Sequence, residues 1–176
     1  MGFARAAAEP LGRPGTAWAL IERVLDRAAV LVAFEQVGGA SKALQMGLDY
    51  AQQRTAFGRP IGSFQAIKHM LVDMYVSVTL ARSNAYYGAW ALSTNAPELP
   101  EAAAAARISA TEAYQHCARN SIQVHGGMGF TWDVDCHLHY RRANLLALSL
   151  GGLSQWQRKL IERLCARRTE GTAGGL

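Results

Sequence analysis

Apolar residues recur at helical spacing along most of the chain, and no stretch alternates polar and apolar positions as a half-buried strand would. Thr16 stands where a helix cap belongs, and the pattern behind it predicts a helix running to about Arg54. Ile21, Val24, Leu25, Ala28, Leu31 and Val32 make an apolar stripe along it. Gly38 and Gly39 interrupt good helix formers, each at about 1 kcal/mol relative to alanine. Such a pair predicts the close approach of another backbone or a ligand. Phe57 to Gly62 reads as a turn, because Pro60 bars helix continuation.

The next helix has the most regular pattern. Phe64, Ile67, Leu71, Met74, Val78, Ala81, Ala85, Gly88 and Leu92 step by threes and fours, the seam of an antiparallel bundle. A break from Ser93 to Pro100 precedes a third helix from about Glu101 to Val124, whose alanine run Ala102–Ala106 permits close packing. After the glycine turn Gly126–Gly129 come a short helix near Asp133–Leu148 and a last one near Leu153–Arg167. The expected fold is all-α: an up-and-down four-helix bundle with one or two extra short C-terminal helices. Residues 1–15, with Pro10, Gly12, Pro14 and Gly15, read as a lead-in segment, 16–168 as the bundle and 169–176 as a flexible tail.

Composition narrows the function classes. A chain of 176 residues, half of them hydrophobic and 18% charged, suits one globular domain. No apolar run approaches the ~20 residues that span a bilayer, and Met1–Pro10 has no apolar core of a signal peptide, so a cytoplasmic protein without membrane contact is expected. Cys117, Cys136 and Cys165 are widely spaced and odd in number, which suits free thiols. The net charge of +5 is spread along the chain. Its densest group, Arg158, Lys159, Arg163, Arg167 and Arg168, reads as a solvated helical face rather than a nucleic-acid surface.

Candidate chemistry lies in three segments: Tyr50–Ile61, Phe64–Lys68 and Gln123–Phe130. Arg54 offers a planar fork of donors suited to phosphate. Gly126 and Gly127 can bring backbone N–H groups against an anion. Gln65 and Gln123 carry donors and acceptors that can read an adenine or ribose edge. Each also has a purely structural explanation: Arg54 can hold the last carbonyls of its helix, and the glycines can form a C-cap and turn. Cys136, His137 and His139 look like metal-ligand material, but histidines two apart on a helix diverge, and no metal site is expected. Trp132 and Tyr140 read as packing residues.

Taken in order, R-x-x-F-G-x-P-I-x-x-F-Q (Arg54–Gln65) and Q-x-H-G-G-x-G-F (Gln123–Phe130) resemble the C-terminal domain of the acyl-CoA dehydrogenase family. The resemblance covers roughly Pro10 to Leu164 and includes Leu11-Gly12-x-Pro14-Gly15. It implies a helical domain at the core of a dimer, with FAD at the subunit interface. Arg54, Thr55 and Ala56 would then bind the pyrophosphate region with Phe57 in the same set, Phe64 and Gln65 the adenosine end, and Gln123, Val124, His125, Gly126 and Gly127 the partner's ADP moiety. Ala56 replaces a hydroxyl residue often found there, which removes one phosphate hydrogen bond. The implied reaction is α,β-desaturation of an acyl-CoA thioester. The implied partners are acyl-CoA dehydrogenase-like chains in a homo- or hetero-oligomer, with an electron-transferring flavoprotein as acceptor. The resemblance reaches one of the family's three domains, so the chain by itself is expected not to hold FAD tightly.

The resemblance breaks at the catalytic base. The glutamate of the family's Y-E-G-T-like motif, after an R-D-A-R-like segment, falls on Leu150, in the stretch that starts at Arg141-Arg142-Ala143-Asn144. The alternative base position on the first helix falls on Ala28, and the arginine that often follows it falls on Ala29, with Arg27 beside it. Asp26 is the surviving candidate base, and Glu35 lies two turns beyond Ala28 on a similar face; an ordinary solvated or paired carboxylate is the alternative for both. Two readings follow: part of an active oxidoreductase that uses another acid, or a non-catalytic, FAD-holding oligomerisation partner of a catalytic chain.

Overall fold

The computed structural model describes Arg13 and Gly15–Ala173, with side chains described as far as Thr169. The lead-in of residues 1–15 therefore lies mostly outside the described residues, as does the end of the expected tail. Among the described residues there are five α-helices: α1 (Ala17–Gln53), α2 (Gln65–Thr94), α3 (Leu99–His125), α4 (Cys136–Leu148) and α5 (Leu153–Ala173). The bundle is all-α, as expected, and α3 is its central member, packed against all four others. Cross-helix contacts give the directions. Arg27 meets Asn95 while Arg82 meets Ser41, and Tyr114 meets His139 while Arg107 meets Leu146. Between α2 and α3, Cys117 meets Met74 O while Gly88 faces Ala106, so successive helices from α1 to α4 are antiparallel.

The α2 seam is buried at Leu71, Met74, Val78, Ala81, Ala85 and Gly88, with Ala91 added. Alanines carry the middle of the bundle, where Ala33, Ala81, Ala85, Ala106, Ala110 and Ala113 meet around Val37. Small side chains let the helix backbones approach closely, which is what the alanine run in α3 permits.

Four local expectations change. The Phe57–Gly62 turn is a miniature antiparallel hairpin, β1 (Thr55–Ala56) with β2 (Arg59–Pro60), so strand structure exists where none was read. Two-residue strands are too short for any period to register. On α1 the buried face is Asp26, Ala29, Val30, Ala33, Gln36, Val37 and Ala40, whereas Val24 and Leu31 of the apolar stripe are 58% and 66% exposed. Gly39 is explained by a side chain and not by a backbone or ligand, since a β-carbon there would run into the Tyr114 ring, while Gly38 meets nothing. Thr16 occupies the cap position, but its hydroxyl turns back to donate to Arg13 O at 2.8 Å, leaving the α1 N-terminus without a side-chain cap. In addition, α5 continues to Ala173, into the stretch read as a tail.

The three cysteines are unpaired, and burial pushes the Cys117 thiol up to about 12. No helix among the described residues is long and apolar enough to cross a membrane.

Candidate functional site

One end of the bundle gathers the three segments singled out in the sequence. The α1 helix arrives there, the hairpin turns the chain, α2 departs, and α3 returns. Ala51, Tyr50, Ile61, Ile67 and Val124 share one apolar cluster at that end.

The hairpin is shaped by its two central residues, Phe57 (φ 53) and Gly58 (φ 79), both left-handed as a tight two-residue turn requires. Glycine adopts this freely, whereas phenylalanine does not. The turn leaves the Phe57 ring 95% exposed, edge-on to Phe64 with centroids 6.2 Å apart. The Arg59 guanidinium lies 4.1 Å over the other aromatic, Phe64, and fixes its ring. Gly62 lets the chain press against the end of α1, where an added β-carbon would stand 3.0 Å from Ala51 O.

Arg54 caps α1 through its backbone, donating from N to Tyr50 O at 2.8 Å and accepting from Ile61 N at the same distance. Its side chain is exposed and makes no hydrogen bond or ion pair with any described residue, so it does not hold the helix carbonyls. Thr55 is exposed and Ala56 half-buried. Gln65 and Gln123 are likewise exposed, with side-chain amides that bond no described residue.

The end of α3 is organised around His125. Its ring is buried, stacks on Tyr50 with centroids 4.2 Å apart, and places Nδ1 2.7 Å from Ser121 O. A proton on Nδ1 donates to that carbonyl, which fixes the tautomer with the Nε2 lone pair free. Val124 is core, so only its backbone is available to a ligand. The glycines that follow divide by role. Gly126 (φ 60, ψ −136) needs a backbone that side chains rarely adopt, and Gly129 is pressed against Ile122 O, 2.6 Å from where a β-carbon would sit. Gly127 has ordinary backbone and open space around it, so nothing within the chain demands a glycine there.

The candidate base lies at the other end. Asp26 is buried, and both its oxygens accept from Arg163 Nη2 at 2.9 Å. Arg163 also donates to Pro100 O at 2.6 Å. Burial raises the Asp26 carboxyl above the ordinary aspartate range, with Arg163 opposing it. Glu35 is paired with Arg142. Leu150 sits in the α4–α5 turn with φ 60, half-buried against the cluster built on Trp156, and its carbonyl accepts from Trp156 Nε1 at 3.1 Å. The Cys136-His137-Leu138-His139 segment disperses its polar groups. The Cys136 thiol meets Ser121, His137 turns to Val134 O and Trp132, and His139 bonds the Tyr114 hydroxyl.

Sequence reasoning missed three residues that shape these regions. Tyr50 was read only as part of a segment, although its place one turn before Arg54 puts it beside the site. Arg59 gave no periodic signal. Arg107, in an alanine-rich helix face, is fully buried, and a charged residue within an otherwise apolar stripe was the available clue.

Residues 15–165 match the family described as acyl-CoA dehydrogenase, C-terminal domain. An acyl-CoA dehydrogenase of Mycobacterium tuberculosis, IpdE2, is 46% identical over 121 residues, covering 69% of this chain and 36% of that protein. Butyryl-CoA dehydrogenase from Megasphaera elsdenii superposes with a TM-score of 0.84 at 26% identity, covering 88% of this chain and 40% of the other. A chain of the ChsE4-ChsE5 complex from Mycobacterium tuberculosis gives 0.78 at 30% identity, covering 86% and 40%. The matched region thus spans less than half of each relative.

Proposed function

The chain belongs to the acyl-CoA dehydrogenase family through its C-terminal domain, and from that premise we propose that it is the flavin-holding, subunit-bridging part of an FAD-dependent acyl-CoA dehydrogenase assembly. The carrying observation is the hairpin end, where Arg54, Gln65 and Gln123 present unengaged polar heads and Gly127 stands open. Exposed to water and tied to nothing within the chain, these groups can exchange solvent for a ligand's acceptors without breaking an internal bond. The residues present fit FAD. Arg54 with Thr55 would hold the pyrophosphate through charge-assisted bonds. Phe64, steadied by Arg59, and Gln65 would take the adenosine end, with Phe57 beside them. Gln123, the free nitrogen of His125 and the backbone of Val124, Gly126 and Gly127 would take the ADP moiety of the partner subunit's flavin. When bound, the flavin supplies the hydride acceptor for α,β-desaturation of an acyl-CoA thioester.

The non-catalytic form of this function is favoured over the self-sufficient one. Leu150 has no proton-accepting group, and Asp26 has both oxygens on Arg163, which leaves the candidate base engaged in a structural ion pair. The α-proton would then be removed by a carboxylate of another acyl-CoA dehydrogenase-like chain, with an electron-transferring flavoprotein as the onward acceptor. Purification with the partner chain from the native source, followed by a flavin spectrum, tests this. Stoichiometric FAD is expected in the assembly and little in the chain alone. Full flavin occupancy in the isolated chain, or none in the assembly, would overturn it. Leu150→Glu then asks whether only the carboxylate is missing: desaturase activity should appear or rise.

A further inference from the structure

We propose that Arg107 is a positioning residue, whose buried guanidinium holds the Ser149–Gly152 turn in the left-handed shape that sets where residue 150 lies. Two observations require an outside hold on this turn. Leu150 (φ 60) is followed by Gly151 (φ 100), and a left-handed backbone is disfavoured for leucine. The last-turn carbonyls of α4 also need donors, because a helix end leaves them without partners inside the helix.

Arg107 supplies both. Its Nη2 donates to Leu146 O, in the last turn of α4, and to Ser149 O at 2.7 Å, the residue just before Leu150. Its Nη1 donates to Gln36 Oε1 on α1 and to Thr111 Oγ1 at 3.1 Å, one turn along α3. Gln36 Nε2 in turn donates to Thr111 Oγ1 at 3.2 Å. The fork is therefore oriented on one side by α1 and α3 and delivers its other arm to the turn. Trp156 Nε1 grips the next carbonyl, Leu150 O, from α5.

The charge itself is the unusual part. Arg107 is 1% exposed and pairs with no carboxylate among the described residues, and its Nε has no partner. What balances it is a set of carbonyl dipoles at the negative end of α4. A buried charge held by dipoles alone is a poor device for packing, since an apolar side chain of similar volume fills such space without the desolvation penalty. It is a good device for geometry, because a planar fork fixes two carbonyls at once. Desolvation lowers the Arg107 pKa, as burial without an anion requires, yet an arginine remains charged.

Hydrogen exchange on the full chain in its native assembly tests the hold directly. In Arg107→Met, amides of the Ser149–Trp156 segment should exchange about tenfold faster or more, while Tyr50–Ile67 and Gln123–Phe130 stay unchanged. Arg107→Lys keeps the charge but loses the fork, and should fall between the two. Unchanged exchange at the turn, or equal acceleration everywhere, would overturn the proposal. If Arg107→Met does not fold, the lysine variant must still show acceleration confined to the turn. The functional half rests on the assignment of residue 150 made above. In an active Leu150→Glu assembly, adding Arg107→Lys should lower kcat several-fold with KM unchanged, and an unchanged kcat would count against it. A silent Leu150→Glu enzyme whose turn still responds to Arg107 sinks the residue-150 assignment and leaves the positioning role standing.

Discussion

The two ends of the bundle treat their polar side chains in opposite ways. At the hairpin end, Arg54, Gln65 and Gln123 are exposed and bond nothing within the chain. Some 27 Å further down α3, at the helical rise of about 1.5 Å per residue, the named polar groups are used up internally. Asp26 holds Arg163, Arg107 holds the end of α4, Trp156 holds Leu150 O, and Arg167 meets Glu98 and Glu101. The contrast separates polar residues that bond nothing within the chain from polar residues that build the scaffold. Residue type alone does not, since both ends use arginines and buried or half-buried aromatics. It also bears on the base: the one candidate acid with a plausible address lies at the end where such groups are consumed.

If the contrast is right, substitutions at the closed end change stability and leave flavin affinity alone, whereas those at the open end do the reverse. Trp156→Ala should be the most severe, about 3–5 kcal/mol by urea unfolding, because it empties a side chain only 1% exposed. Weaker flavin affinity in the folded fraction would break the division.

Next comes Arg163→Met, which strands the Asp26 carboxylate in the interior and should cost about 3 kcal/mol at pH 7. Its pH dependence carries a definite sign. The folded Asp26 pKa is already raised above 3.8, so its contribution is present in full below that value and lost as pH rises through the folded pKa. Removing Arg163 raises the folded pKa further. The deficit of the variant should therefore shrink as pH falls, and a deficit that is flat or grows on acidification would show that Asp26 does not carry it.

At the open end, Arg54→Ala should weaken FAD binding by about 10–100-fold in the assembled enzyme, the scale of a lost charge-assisted contact. Its melting temperature should stay within about a degree, as calorimetry can check. The smallest effects separate neighbouring glycines. Gly129→Ala meets Ile122 O and should cost about 1–3 kcal/mol. Gly127→Ala meets nothing and should leave stability within about 0.5 kcal/mol while lowering flavin affinity a few-fold. Equal stability losses at both would mean that Gly127 also serves the fold.

Much of the fold was legible because long helices repeat their signal. The α2 seam spans enough turns for its buried face to be read residue by residue; Pro60 bars helix in the hairpin, and Pro100 marks the first turn of α3, where its missing N–H costs nothing. The same reading misjudged α1, where alanines and a glutamine turn inward and larger apolar residues turn outward. Hydrophobicity ranks side chains, but a helix squeezed between two others buries whatever is small enough to fit. The hairpin escaped because a strand of two residues has no period.

Order and residue type along the chain were enough to determine the helices, the family and the set of donors at the hairpin end, since helix propensity and motif spacing are local properties. Whether each donor is available is not local. Arg54 and Arg107 are the same residue type within long helical patterns, and only packing left one guanidinium open and closed the other around α4. The same holds for Asp26, whose partner Arg163 stands at the far end of the chain. Desolvation and pairing depend on neighbours brought in by the tertiary fold, and those decided which charges can meet a ligand and which hold the protein together.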